Sequence, residues 1–249
     1  MLLDGVHLVR DALGAGVPLH DVVVAADFGM QEDIAPLFDA LARARVSVVS
    51  ASATVMAALS PVRSSSPIVA LASRPTCDAA RMYDLPAPLV VVAVDIQDPG
   101  NLGATVRAAE AAGATGFVAA GACADPFSWK ALRGSMGSAL RLPVRRIDRA
   151  AETIDEAHHY RCRVFATVPR GGVSLFDCDF SGGSAIFIGG EGPGLPADVI
   201  ERADVRVTIP MQAPVESLNA AVTAALMLYE ARRQRHETHE NTKSTKHKP

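Results

Sequence analysis

The sequence predicts an α/β protein of two units, and three observations carry that expectation. Short β-branched runs alternate with helical stretches along nearly the whole chain. A proline-bearing, aperiodic stretch at 75–88 separates a small first part from a longer second one. In the second part, apolar runs lead directly into glycine- or proline-rich loops, the arrangement that places ligands at the carboxyl edge of an open sheet.

The first unit, 1–75, begins with a short helix over 6–13, broken by Gly14-Ala15-Gly16. The β-branched run 22–26 suits a buried strand. Helical periodicity over 34–44 follows, then a strand at 46–49. Ser64-Ser65-Ser66-Pro67 makes a turn before a third strand at 68–72. Alternation of this kind implies a layered α/β sandwich. After a linker at 76–87, the second unit spans 88–234. Strands are expected at 89–95, 116–120, 163–168, 185–189 and 205–209, with a helix at 104–112. A final alanine- and leucine-rich helix over 218–234 has no internal glycine or proline. The remaining 235–249 are polar and charged, as in a disordered tail.

Composition narrows the class. Apolar residues make up 49% of the 249-residue chain, enough for a substantial core and too many for disorder. No apolar stretch is longer than that of Leu89–Val94, far short of the roughly 20 residues a membrane-spanning helix needs. The opening Met1-Leu2-Leu3-Asp4-Gly5 lacks a basic segment followed by an apolar run, so no signal peptide is indicated. A soluble, cytoplasmic protein is the expectation. Cys77, Cys123, Cys162 and Cys178 show no C-x-x-C spacing, and His158 with Cys162 would supply only two ligands, so no metal site is expected and the thiols read as reduced. The formal net charge of −3 is low for a nucleic-acid binder, but basic residues cluster at Lys130, Arg133, Arg141, Arg145, Arg146 and Arg149, and again at Arg232, Arg233 and Arg235.

Three segments ask for chemistry. Asp98-Pro99-Gly100-Asn101-Leu102-Gly103-Ala104-Thr105-Val106-Arg107 follows an apolar strand and puts backbone N–H groups and Asn101 at a sheet edge. Arg107 is expected early on the next helix, where the helix dipole favours anions, so a cation there is either a surface residue or an anion binder. Phe187-Ile188-Gly189-Gly190-Glu191-Gly192-Pro193-Gly194-Leu195 is a loop whose glycines let a ligand approach the backbone. It is neither G-x-G-x-x-G nor a P-loop, and its lone acid is Glu191. In Ile209-Pro210-Met211-Gln212-Ala213-Pro214-Val215-Glu216-Ser217-Leu218-Asn219 a proline-stiffened loop enters a long helix, with Ser217 or Asn219 as the N-cap.

In this order and spacing the segments resemble the three motifs of the SpoU/TrmH branch of the SPOUT RNA methyltransferases. That pattern runs N-x-G-x-x-x-R, then G-x-E-G-x-G-L, then I-P-M with S-L-N, and the chain supplies each. Arg133-Gly134-Ser135-Met136-Gly137-Ser138 is similar to the family's Ser-x-Gly-Ala stretch, with serine in the alanine position. The opening Leu3-Asp4-Gly5-Val6-His7 is similar to the family's L30e-like substrate-binding domain, where Glu-Gly is commoner than Asp-Gly; that domain's usual glycine before the last strand is replaced around Pro67-Ile68. The resemblance implies a small L30e-like α/β sandwich followed by a trefoil-knotted methyltransferase domain with a mostly parallel sheet, working as a homodimer. It implies S-adenosyl-L-methionine as cofactor, held by Gly189, Gly190, Ile209, Met211 and Leu218, with Thr167 at the adenine end.

The implied reaction is in-line methyl transfer to a ribose 2′-oxygen. Holding the two reactants in line can lower the barrier by roughly 7–11 kcal/mol. A guanidinium is a poor base at neutral pH, so Arg107 is assigned to gripping the ribose-phosphate and stabilising alkoxide charge. Glu191, Ser217 and Asn219 would orient Arg107 and the hydroxyl, and Asn101 would fix the nucleotide. The proton would leave to phosphate or water. Ribosomal RNA, 23S in particular, is the expected substrate, with transfer RNA as the alternative. An inactive RNA-binding relative should show damaged motifs, and these are intact; an oxidoreductase or kinase lacks its phosphate fingerprint.

Overall fold

The structure, a computed structural model, describes residues 1–28, 34–60 and 66–245, with side chains through His236. Part of the expected turn at 64–67 and the residues after 245 lie outside these.

The first unit is a four-stranded sheet in the order β1-β4-β2-β3, from β1 (Leu2–Asp4), β2 (Leu19–Ala25), β3 (Ser47–Ala51) and β4 (Ile68–Ala72). β4 runs antiparallel to both neighbours, whereas β2 and β3 are parallel. Its helices are α1 (Val6–Gly14), α2 (Ala35–Arg43) and α3 (Ala53–Leu59). Strand β1 and helix α3 lie outside the sequence expectation, being too short to establish a period.

The second unit is a seven-stranded sheet, β7-β6-β5-β10-β8-β11-β9, in which every pair is parallel. The strands are β5 (Leu89–Val94), β6 (Gly116–Ala120), β7 (Val144–Ile147), β8 (Arg163–Thr167), β9 (Val173–Ser174), β10 (Ser184–Gly189) and β11 (Val205–Thr208). Strand β5 is buried on both faces, which is why it reads as an unbroken apolar run. Leu89, Val91 and Ala93 enter the core under α5 (Pro99–Ala112) and α10 (Ala220–Thr245). Val90, Val92 and Val94 enter the opposite core, under α4 (Ala79–Tyr83), α8 (Ala150–His159) and α9 (Ala197–Arg202). Two short helices, α6 (Trp129–Ser135) and α7 (Ser138–Arg141), pack beside α5.

The segment between the units is more ordered than its prolines suggest. Asp78 caps α4 by accepting from the Arg81 N–H at 3.0 Å, and Met82 and Tyr83 are buried in the second unit's core. Met82 fills the space that a β-carbon on Gly116 would need. A five-residue helix cannot announce itself by periodicity. The units also share one core, in which Leu3 and Ala12 join the same cluster as Leu132 and Leu140. Ion pairs of 2.7 Å (Arg74–Asp125) and 3.0 Å (Arg141–Asp11) flank it. The two units are therefore docked through a shared core and not merely tethered by the linker.

The last helix continues to Thr245, past the expected end at 234, since no glycine or proline interrupts it. Arg235, placed by composition in a disordered tail, is instead turned inward. Its guanidinium donates to the carbonyls of Phe180 (3.0 Å), Ala87 (2.8 Å), Pro88 (3.2 Å) and Gly182 (2.7 Å). Hydrogen bonds to a charged group are worth about 1.5–3 kcal/mol each when their partners have no alternative. Arg235→Ala should therefore lower Tm in a thermal melt by several degrees without touching the cleft; an unchanged Tm would remove the clamp role.

Three other members of the basic clusters are likewise spoken for. Arg141 grips Glu110 at 2.7 and 2.8 Å, Arg145 grips Glu156 at 2.7 and 3.0 Å, and Arg233 grips Glu230 at 2.9 and 2.7 Å. Their acids lie on other elements or a helical turn away, so the sequence cluster is mostly intramolecular. The four cysteines are free, and burial pushes the Cys162 thiol up to about 11, so it stays protonated at neutral pH. His158 bonds Asp204 at 3.1 Å, and Cys162 lies beyond the end of α8, so the two are not a ligand pair. Among the described residues no group of three His, Cys, Asp or Glu could hold a metal, and no helix is long and apolar enough to cross a membrane.

Candidate active site

Three loops leave the carboxyl ends of β5, β10 and β11 and meet. The loop after β5 enters α5 at once, because Asp98 caps the helix by accepting from the Asn101 N–H at 2.7 Å and Pro99 occupies the first turn. The Pro-Gly pair is thus inside the helix, not a turn before it. The loop after β11 ends where Asn219 caps α10, its Oδ1 accepting from the N–H groups of Ala221 (2.9 Å) and Val222 (3.3 Å). That assignment falls to Asn219; Ser217 does not cap.

Capping fixes the Asn219 amide and aims its Nδ2 at the other two loops. Nδ2 donates to Asn101 Oδ1 at 3.0 Å and to Glu191 Oε1 at 3.3 Å. Asn101 Nδ2 donates to the same Glu191 oxygen at 2.6 Å. One residue from each motif therefore joins a closed ring of two amides and a carboxylate, with sequence separations of 28 to 118 residues. Glu191 Oε2 accepts no hydrogen bond among the described residues. An acceptor held in place by two donors beside a cavity is suited to orienting a hydroxyl.

The cavity beside this ring has a volume of about 400 Å³, within the range of small-molecule sites. Thr167, Gly189, Gly190, Ile209, Met211 and Leu218, the six expected cofactor contacts, all line it, as do Glu191, Ser217 and Asn219. Thr167 lines it with its hydroxyl already committed, donating to the Phe187 carbonyl at 3.0 Å. Leu195, the last residue of the glycine motif, lines it too; Val168, Pro169, Ile200 and Thr223 also contribute and had no sequence signal, because which segments converge on the cavity is a tertiary property.

Two expectations are corrected here. On sequence alone, Gly189 and Gly190 leave room for a ligand. What a β-carbon would meet is protein: at Gly189 the Gly194 backbone and Leu195 N (2.6 Å), at Gly190 the Asp95 carbonyl and Ile96 N (3.2 Å). These glycines let three chain segments cross closely, and the cavity lies beside that crossing. Arg107 was expected near a helix start. With α5 beginning at Pro99, Arg107 falls in its third turn, beyond the reach of the terminal partial charges. It is exposed, does not line the cavity, and has no hydrogen bond or ion pair among the described residues. Its helix position lies between Gly103, which packs under α6, and Ala104 and Ala108, which line an open apolar groove against α10.

An all-parallel sheet with a glycine-walled cavity at its carboxyl edge and an amide–carboxylate ring beside it defines an α/β protein with its ligand site at the switch edge of the sheet. The chain belongs to the SpoU rRNA Methylase family, whose model matches residues 88–229. It is 35% identical to an uncharacterized tRNA/rRNA methyltransferase of Synechocystis sp., over 94% of this chain and 84% of the relative. It is 29% identical to the 23S rRNA (guanosine(2553)-2'-O)-methyltransferase RlmP of Bacillus subtilis, over 93% of this chain and 88% of that protein. The crystal structure of the SpoU methyltransferase AviRb from Streptomyces viridochromogenes in complex with AdoMet superposes with a TM-score of 0.84 at 30% identity, covering 95% of this chain and 90% of AviRb.

Proposed function

We propose that this chain transfers the sulfonium methyl group of S-adenosyl-L-methionine to a ribose 2′-hydroxyl of 23S ribosomal RNA. The observation that carries this is the meeting of Asn101, Glu191 and Asn219 at the mouth of a cavity lined by the six expected cofactor contacts. The cavity suits the cofactor: glycine backbone and apolar side chains wall it, and Thr167, Glu191, Ser217, Asn219 and Thr223 supply polar groups to set an orientation. Bound there, S-adenosylmethionine supplies an activated methyl group. Glu191 holds the 2′-hydroxyl, and the Asn101 and Asn219 amides hold Glu191. Ser217, on the cavity wall, is a further donor or acceptor for the ribose. With the cofactor bound, methyl transfer would release the hydroxyl proton to phosphate or water, and Arg107 would stabilise the developing negative charge.

The close crossing of the 94–96, 189–190 and 194–195 segments supports a knotted path in the second unit. Residues 1–75 are assigned RNA affinity, with the catalytic unit beginning before Asp78, since Met82 and Tyr83 belong to its core. The enzyme is placed in the cytoplasm, with its RNA.

Two copies are inferred to pair over the groove between α5 and α10. Its volume is about 640 Å³, and it is lined by Ala104, Ala108, Leu175, Phe176, Val222, Leu226 and Tyr229. Phe176 is 67% and Tyr229 53% exposed, a cost that pairing would remove. Asn101 and Arg107 flank this face of α5, so pairing would complete the site across the dimer. Leu226→Asp with Tyr229→Asp should yield monomers in light scattering and lose activity; a fully active monomer would sink the pairing.

Calorimetry with S-adenosylmethionine, NAD and ATP tests the cofactor, and ribose-methylation mapping of RNA from a deletion strain tests the substrate. Binding of NAD or ATP alone would overturn the reading. A lost 2′-O-methyl mark in transfer RNA would replace the substrate.

A further inference from the structure

Many basic residues are locked in internal pairs, and of those left over among the described residues, which include Arg107, Arg146 and Arg149, two share a helix with the chain's one tryptophan. Lys130 and Arg133 are exposed on α6, and neither has a hydrogen bond or ion pair among the described residues. Two acids of neighbouring segments are committed elsewhere: Asp125 to Arg74 at 2.7 Å and to the Phe127 N–H at 2.9 Å, and Glu110 to Arg141. Asp98 is occupied in capping α5. Trp129, the single tryptophan of the chain, begins the same helix and is only half-buried. The Lys130 ammonium stands 5.5 Å from its ring centroid.

Helix geometry gathers these three. Ala131, Gly134 and Ser135 face α5: a β-carbon on Gly103 would fall 2.5 Å from the Ala131 carbonyl and 2.9 Å from Ser135 N, and one on Gly134 would fall 3.3 Å from the Gly100 carbonyl. Trp129 and Arg133, four apart, and Lys130, three before Arg133, then share the face turned away from α5. Helix α6 thus sits directly on the turn of α5 that carries Asn101, with its other side toward solvent. Strand β1 of the first unit packs against the same helix. The face of α6 therefore lies between the ring of Asn101, Glu191 and Asn219 and the unit assigned to RNA affinity.

Resting on the RNA methyltransferase reading, we propose that Trp129, Lys130 and Arg133 form a docking shoulder for the single-stranded RNA that flanks the target nucleotide. Lys130 and Arg133 bind successive phosphates, and a base stacks on Trp129. An aromatic face among unneutralised cations is what sequence-tolerant single-strand binding uses, whereas structural arginines in this chain are paired with acids or carbonyls.

The single tryptophan makes the test direct. In-vitro-transcribed 23S rRNA added to the full-length protein should quench its tryptophan emission, because a stacked base contacts the indole. Trp129→Ala should weaken binding of the same RNA, followed by fluorescence anisotropy of labelled transcript, about 5- to 150-fold. Lys130→Gln with Arg133→Gln should lower the slope of log affinity against log salt by about 1.4, two single-strand phosphate contacts. In methyl transfer both variants should raise KM for RNA far more than they lower kcat, and S-adenosylmethionine affinity should be unmoved. RNA binding by the wild type with silent emission, or an unchanged salt slope in the double variant, overturns the shoulder. Failure of the wild type to methylate any ribosomal RNA would instead strike the underlying function.

Discussion

Replacing Arg107 with alanine should slow methyl transfer by about 10²–10³-fold, the usual cost of losing one preorganised donor at a developing oxyanion. S-adenosylmethionine affinity should stay at the wild-type value, because Arg107 does not line the cavity. The structure changes the grounds of this expectation. The helix field no longer bears on it, since Arg107 lies in the third turn of α5. What remains is an exposed guanidinium, unpartnered among the described residues, on the helix that carries Asn101. Such a group is available to a substrate phosphate or oxyanion. Arg107→Lys separates two roles. Lysine keeps the charge but not the planar fork. If Arg107 grips and orients, lysine should be nearly as poor as alanine at every pH. If it serves as a base, the lower pKa of lysine should give activity that rises with pH. Wild-type turnover in Arg107→Ala, with saturating cofactor and the true RNA, would remove the residue from catalysis.

What the sequence made legible follows a physical divide. Buried parallel strands write themselves as apolar runs, so β5, β6, β8, β10 and β11 could be placed to within a residue or two, and with them the loops that follow. The motif residues were legible as types; the ring that joins Asn101, Glu191 and Asn219 was not, since it spans up to 118 residues. Local rules failed where tertiary packing decided. Asp98 and Pro99 form a helix start as good as any, yet beside Gly100 they read as a turn. Met82 and Tyr83 looked like linker because the places that receive them, over Gly116 and against Tyr160, are made by other segments. Arg141, Arg145 and Arg235 looked like an RNA surface because their partners, Glu110, Glu156 and the carbonyls around Pro88, are invisible to a count of local charge. The cations of the first cluster that survive this sorting, Lys130, Arg133, Arg146 and Arg149, are no more conspicuous in the sequence than those that do not.

The two kinds of residue around the cavity should respond oppositely to substitution. Leu218→Trp adds bulk to a wall of the 400 Å³ cavity at an exposed-to-half-buried loop position, with no core contact to break. It should fold with a near-normal Tm and weaken S-adenosylmethionine binding about 100-fold or more, a loss of roughly 2.7 kcal/mol. Gly190→Ala should do the reverse. Its added methyl group would land on the Asp95 carbonyl, at a point where Gly190 N–H also donates to Val94 at 2.7 Å. Neither strand can retreat without opening the central sheet, in which β5 and β10 are paired along six residues. Overpacking against side chains costs about 1–3 kcal/mol, and backbone offers less relief than that. The variant should accumulate in the insoluble fraction or unfold at much lower temperature, and any cofactor loss should track loss of fold. If Gly190→Ala were instead as stable as wild type and lost only cofactor affinity, the glycine would be there for the ligand. The close crossing of chain segments would then not be the reason for the motif.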